Sequence, residues 1–172
     1  MKQIKPPTIH TPRLCLRALE DRDCDRMVDL LTNKEIARTY MLPDFSTRED
    51  AVKLFRRLQC LSRKEDRFVY GICLDDRLIG FFNDVEIQES AIELGYAILP
   101  PYQNQGYATE VLSAAIATLF AMGYTTVNTA AFEENPASIR VMEKCGMTRL
   151  EKTEQIDYRG RTHRCVCFAI RA

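Results

Sequence analysis

Three β-rich runs, FVYGICL, RLIGFFNDVEI and AIELGYAIL, follow one another between residues 68 and 99 with hardly more than a turn between them. Links that short leave no room for a crossover, so the runs are expected to form an antiparallel meander, the first two joined by the turn signal DDR. The next segment changes the geometry. PPYQNQGYA ends the meander, the apolar-periodic stretch from about Thr109 to Met122 reads as a long helix, and TTVNTAAF after Gly123 reads as a strand. A strand joined through a helix to another strand is a parallel crossover. The expected sheet is therefore mixed and mostly antiparallel, with AIELGYAIL and TVNTAAF parallel near its centre, in an α+β arrangement.

The flanking segments add to this frame. RLCLRAL alternates apolar and polar positions and reads as a first strand. DRDCDRMVDLLTN offers aspartate caps and an apolar stripe of Met27, Leu30 and Leu31, hence a short helix. A second helix is expected after Ser46 or Thr47, where Glu49 and Asp50 suit a first turn and Ala51, Leu54, Phe55, Leu58 and Leu61 follow a helical spacing. NPASIRVMEKCGM reads as a short helix closing at Gly146, and RLEKTEQIDYRGRTHRCVCFAI as a hairpin turning at YRGR. About four helices thus flank the sheet. A chain of 172 residues suits one domain over 1–172, burying roughly 70% of its unfolded surface.

Twenty-four basic residues balance twenty-four acidic ones, so no long-range field draws the chain to nucleic acid. No apolar run approaches the roughly 18 residues of a membrane span, and MKQIKPPTIHTPRL lacks the apolar stretch of a secretory signal; the expectation is a cytoplasmic protein without membrane contact. Seven cysteines, odd in number and without a CxxC pair, suit free thiols better than disulfides or a metal site. Cys165 and Cys167 share one strand face and read as packing.

The loop before the long helix admits two readings, a plain turn or an anion cradle. Gly106 has no Cβ and Ala108 only a methyl, so amides from Gln105 through Thr109 can converge on a phosphate at a helix N-terminus. The absence of lysine from the loop argues against a nucleoside triphosphate site.

With AILPPYQNQGYATEVL ahead of NPASIRVMEKCGM and IHTPRLCLRAL at the start, the chain resembles the GNAT superfamily of acetyl-CoA-dependent N-acetyltransferases, in the branch typified by the ribosomal-protein alanine acetyltransferases RimJ and RimL. The resemblance spans nearly the whole chain. It implies a GNAT fold with a splay between the fourth and fifth strands, counted from RLCLRAL, and acetyl-CoA as cofactor. It further implies that Gln103, Asn104, Gln105, Gly106, Tyr107, Ala108 and Thr109 bind the pyrophosphate of coenzyme A. The strand ending at Ile98 would pair with the pantetheine arm, Asn135 would contact that arm, and Ser138 would lie near the thioester sulfur. Many members carry a tyrosine seven residues after the asparagine to protonate the leaving thiolate; here that position is Met142. Ser138 is the substitute donor on this reading, or else a helix-start group. Tyr107 either touches cofactor or packs, and Glu110 complements the helix dipole.

The reaction so implied is direct transfer of an acetyl group to a primary amine in a ternary complex, with the Ile98 N–H at the oxyanion. Glu93 is the candidate base, or simply a carboxylate facing solvent. Tyr96 lines the acceptor site or packs, His10 and His163 are unpromising as catalysts, and Cys145 reads as packing rather than an acyl carrier. The favoured acceptor is the α-amine of a protein or peptide. The alternatives are a polyamine or aminoglycoside, for which Asp44, Asp84, Glu86 and Glu89 are the available carboxylates, and a non-catalytic acyl-CoA sensor. The expected assembly is a monomer or a homodimer.

Overall fold

A computed structural model describes residues 4–172; the first three residues of the N-terminal stretch read above lie outside it. The strands are β1 (Thr8–His10), β2 (Leu14–Arg17), β3 (Tyr70–Leu74), β4 (Arg77–Ile87), β5 (Ala91–Ile98), β6 (Thr126–Phe132), β7 (Thr148–Tyr158) and β8 (Arg161–Arg171). The α-helices are α1 (Cys24–Leu31), α2 (Lys34–Thr39), α3 (Arg48–Ser62), α4 (Tyr107–Ala121) and α5 (Pro136–Lys144). One sheet runs in the order β1-β2-β3-β4-β5-β6-β8-β7. The meander β3-β4-β5 is antiparallel, and β5 pairs with β6 in parallel through the α4 crossover. Asp75 and Asp76, both at positive φ (47° and 63°), make the tight turn between β3 and β4 that their DDR signal implies.

Two elements went unread in the sequence, β1 and α2. The first is only three residues long, and α2 buries only Ile36 and Ala37, too few for a periodic signature. The sheet accordingly gains an edge strand and the flanking helices number five among the described residues rather than about four. α4 also begins two residues earlier than expected, so Tyr107 and Ala108 belong to its first turn.

The sheet buries two cores, one on each face. Val111, Leu112, Ala115, Ile116 and Leu119 of α4 pack with Met142 of α5 against Phe82, Leu94 and Ile98. Residues from α1, α2 and α3, among them Met27, Ile36, Phe55 and Leu58, cover Phe81, Ala97 and Leu99 on the opposite face. Successive β5 side chains therefore alternate between the two cores, as a strand requires.

The parallel pair parts before its strands end. Pairing runs from Ala91↔Thr126 to Leu94↔Thr129 and stops, although β5 continues to Ile98. Beyond that point β5 stays with β4 as far as Gly80↔Ile98, and β6 stays with β8 as far as Phe132↔Cys165. Each strand follows its outer neighbour, and a gap opens between them. This is the expected splay: with β1 added, the fourth and fifth strands of the sequence reading are β5 and β6.

Candidate active site

Backbone direction in the gap follows from the ladder. Leu99 N–H donates to the Ile79 carbonyl at 2.8 Å, so alternation in the antiparallel β4–β5 pair turns the amides of Ile98 and Tyr96 away from β4 and toward the space β6 has left. The Ile98 carbonyl accepts from Gln103 Nε2 at 2.8 Å, which ties the loop to the strand end.

That loop is shaped around Gly106, whose φ of +82° only glycine adopts without strain. No side chain caps α4, and its first backbone bond runs from Glu110 N–H to the Gly106 carbonyl, so the amides of Tyr107, Ala108 and Thr109 are helix-start donors without an intrahelical acceptor. Gln105 Nε2 donates to the Pro101 carbonyl at 2.9 Å, and Asn104 turns the chain at φ 60°. With no Cβ at Gly106 and only a methyl at Ala108, the exposed loop running into open amides fits a phosphate group.

A cation absent from the loop's own sequence stands beside it. Arg13, just ahead of β2, donates through Nη1 to the Gln105 carbonyl at 3.0 Å and through Nε to Glu110 at 2.7 Å, and its guanidinium lies 4.4 Å from the centre of the Tyr107 ring. Thr11 Oγ1 and the Arg13 N–H also donate to Glu110, at 2.6 and 2.8 Å. Burial alone would raise the Glu110 pKa, but these bonds outweigh it and hold the carboxyl below its ordinary value. Glu110 thus fastens the β1–β2 turn to α4, beyond the dipole role expected of it. Nothing in the sequence near residue 106 points to Arg13.

Asn135 and Ser138 meet at the start of α5. The Asn135 side chain caps α5 by accepting the Ser138 N–H at 3.3 Å, so the serine is not the cap. The Ser138 hydroxyl instead meets the Tyr96 hydroxyl at 3.1 Å. Tyr96 packs against Phe82, and burial pushes its hydroxyl up to about 12 in spite of that bond. Met142, at the offset of the missing tyrosine, is core.

Glu93 points to the other face, one residue before the last β5–β6 pair. Burial raises its pKa first, Glu154 and Glu86 raise it further, and Lys152 pulls the other way. Of the other carboxylates weighed for a cationic acceptor, Asp84 is buried beneath Arg67 and the Phe68 N–H, and Asp44 pairs with Arg159 at 2.9 Å. Glu86 takes a hydrogen bond from Gln88. Cys145 donates to the Thr109 carbonyl, and burial lifts its thiol to about 11, a neutral group at physiological pH. His163 bonds to Glu134 and stacks on Phe132 at 4.2 Å. Among the described residues no cluster of His, Cys, Asp or Glu is placed to hold a metal, and no helix is long and apolar enough to cross a membrane.

Residues 13–148 match the acetyltransferase (GNAT) domain family. The sequence is 29% identical over 161 residues to the uncharacterized N-acetyltransferase YoaA of Bacillus subtilis, covering 91% of each chain. In structure it is similar to RimL, the ribosomal L7/L12 α-N-protein acetyltransferase solved with coenzyme A, at a TM-score of 0.83 and 19% identity over 98% of both chains. It is also similar to the spermidine N-acetyltransferase of Vibrio cholerae solved with CoA and spermine, at 0.78 and 21% identity over 92% of this chain and 95% of that one.

Proposed function

This chain belongs to the GNAT family of acetyltransferases and is an acetyl-CoA-dependent N-acetyltransferase, and we propose that its acceptor is the α-amine of a protein or peptide N-terminus. Bound acetyl-CoA supplies the acyl group as a thioester. The amides of Tyr107, Ala108 and Thr109, reached past Gly106 and with Arg13 alongside, hold the diphosphate; Gln103, Asn104 and Gln105 shape the loop that presents them. The gap-facing backbone groups of β5 around Tyr96, with Asn135 across the gap, take the arm that leads to the reacting end.

The chain's own groups then divide the work of direct transfer. The Ile98 N–H faces the gap and stabilises negative charge growing on the carbonyl oxygen. Glu93, at the root of the splay and with a raised pKa, takes the proton of the attacking amine. Ser138, backed by Tyr96, offers its hydroxyl on the sulfur side, where Met142 has none to give.

One observation favours an α-amine over a polyamine. Of the carboxylates weighed for a polycation, Asp84 and Asp44 are spent on Arg67 and Arg159, while Glu86 stands opposite Glu93 on the β4–β5 ladder. An α-amine with a pKa of about 7.7–8.0 costs under about 1 kcal/mol to deprotonate at pH 7.4, whereas a lysine amine near 10.4 costs about 4. A site in which buried Met142 stands where many members carry a tyrosine acid, and which gives the acceptor amine little help, suits the former. The seven free cysteines, Cys73 and Cys165 among them buried, suit a reducing cytoplasmic setting.

The test is thiol release from acetyl-CoA with a panel of peptides and amines, checked by intact mass. Peptides should gain one acetyl group at the N-terminus, and spermidine should react poorly. Turnover confined to polyamines overturns the assignment, and saturable CoA binding without turnover on any acceptor indicates a sensor.

A further inference from the structure

On the α2 side of the sheet a second feature meets the splay. α2, the loop after β6 and the turn of the β7–β8 hairpin enclose a cavity of about 600 Å³, and its charged lining is Lys34, Arg38, Arg159 and Arg161, with Glu134 and His163. The balance of charge there is unlike that of the chain, which has equal numbers of acids and bases. Glu134 is already bonded to His163, and Arg159 to Asp44 and the Leu42 carbonyl. Lys34, Arg38 and Arg161 take part in no salt bridge among the described residues, and all three are exposed. Lys34 and Arg38 stand four apart on one helix face, where like charges repel. The helix dipole favours Arg38 in the last turn of α2 but not Lys34 in its first.

The walls are fixed. The Tyr158 hydroxyl donates to the Ala37 carbonyl at 2.8 Å and accepts the Leu42 N–H at 3.0 Å, tying the hairpin turn to α2. The cavity also adjoins both lips of the splay. Tyr40, at the end of α2, bonds Asn83 at 2.6 Å, and its ring lies 3.4 Å from where a Cβ on Gly95 would stand, beside Tyr96. Glu134 immediately precedes Asn135.

We propose that this cavity binds an acidic stretch of the acceptor peptide, carboxylates a few residues downstream of the reacting amine pairing with Lys34, Arg38 and Arg161. The inference rests on the peptide reading above and narrows it to acidic N-terminal sequences. At about 3.3 Å per extended residue, a few residues carry the chain from the splay into the cavity. The same cations repel a polyamine.

The experiment compares kcat/KM on three peptides that share their first two residues and continue with Asp and Glu, with Ser and Gln, or with Lys. The acidic peptide should exceed the lysine peptide by about tenfold or more at low ionic strength, and added salt should narrow the gap. In a protein carrying both Arg38→Glu and Arg161→Glu the order should invert. Three equal rates, indifferent to salt and to the charge reversals, overturn the acidic preference while leaving the peptide assignment standing. Acetylation of spermidine with no peptide turned over overturns both. The salt series on the unaltered protein reads the preference even where a charge-reversed variant folds poorly.

Discussion

Gly106 carries the chain into α4 at φ +82°, and a Cβ there would stand 3.2 Å from Arg13 Nη2. Valine at this position meets a left-handed backbone costing about 1–2 kcal/mol and projects into the approach to the open amides. For Gly106→Val, calorimetric titration should show coenzyme A binding weakened by about tenfold or more, with melting lowered by only several degrees; unaltered affinity removes the loop from the binding site. Glu93 raises a question of pH. A carboxyl works as a base only when ionised, so turnover falls as pH drops through its raised pKa. In Glu93→Gln the loss should reach about a hundredfold between that pKa and the α-amine value of about 7.7–8.0, and shrink above it, where the acceptor arrives neutral. A pH–rate profile identical to that of the unaltered enzyme excludes Glu93 as the base. Both residues are legible in the sequence, a glycine before a helix and an acid on the last meander strand. Arg13 is not, because its contacts with Gln105 and Glu110 bridge more than ninety residues.

The helices on the α1–α3 face of the sheet are anchored by an ion pair remote from the Gly106 loop. Arg17 at the end of β2 grips Asp23 through Nη1 at 2.7 Å and Nη2 at 3.0 Å, with both side chains under 10% exposed. Asp23 also accepts the Glu20 N–H and leads directly into α1. Removing Asp23 leaves a buried guanidinium whose remaining carboxylate is the exposed Asp76 at 3.3 Å, so Asp23→Ala should cost about 3 kcal/mol in urea unfolding; a change under about 1 kcal/mol means that Asp76 or water takes over from Asp23. Element boundaries were readable where several cues agreed. α3 begins where Thr47 accepts the Asp50 N–H, as its cap and acidic first turn indicate. α2 has a comparable cap, with Asn33 accepting from Glu35 and Ile36, but six residues with two buried positions carry no period to accompany it.

Chain order decides the topology, because short links force β3, β4 and β5 into a meander and the α4 crossover forces β6 parallel to β5. From order and patterning alone the residues determine a mixed sheet, the place of its parallel pair and the glycine-bearing loop at the start of α4, since each depends on backbone preferences and apolar faces that repeat locally. The splay, the Arg13 clamp and the cationic cavity required the assembled fold. The first arises because β5 and β6 each hold an outer partner that draws them apart after Leu94↔Thr129, a competition between ladders that no single strand encodes. The other two bring together side chains distant in the chain, as where Tyr158 reaches Ala37 across 121 residues. Such meetings depend on how sheet order and helix packing place whole elements against one another, and periodicity within an element carries no record of that.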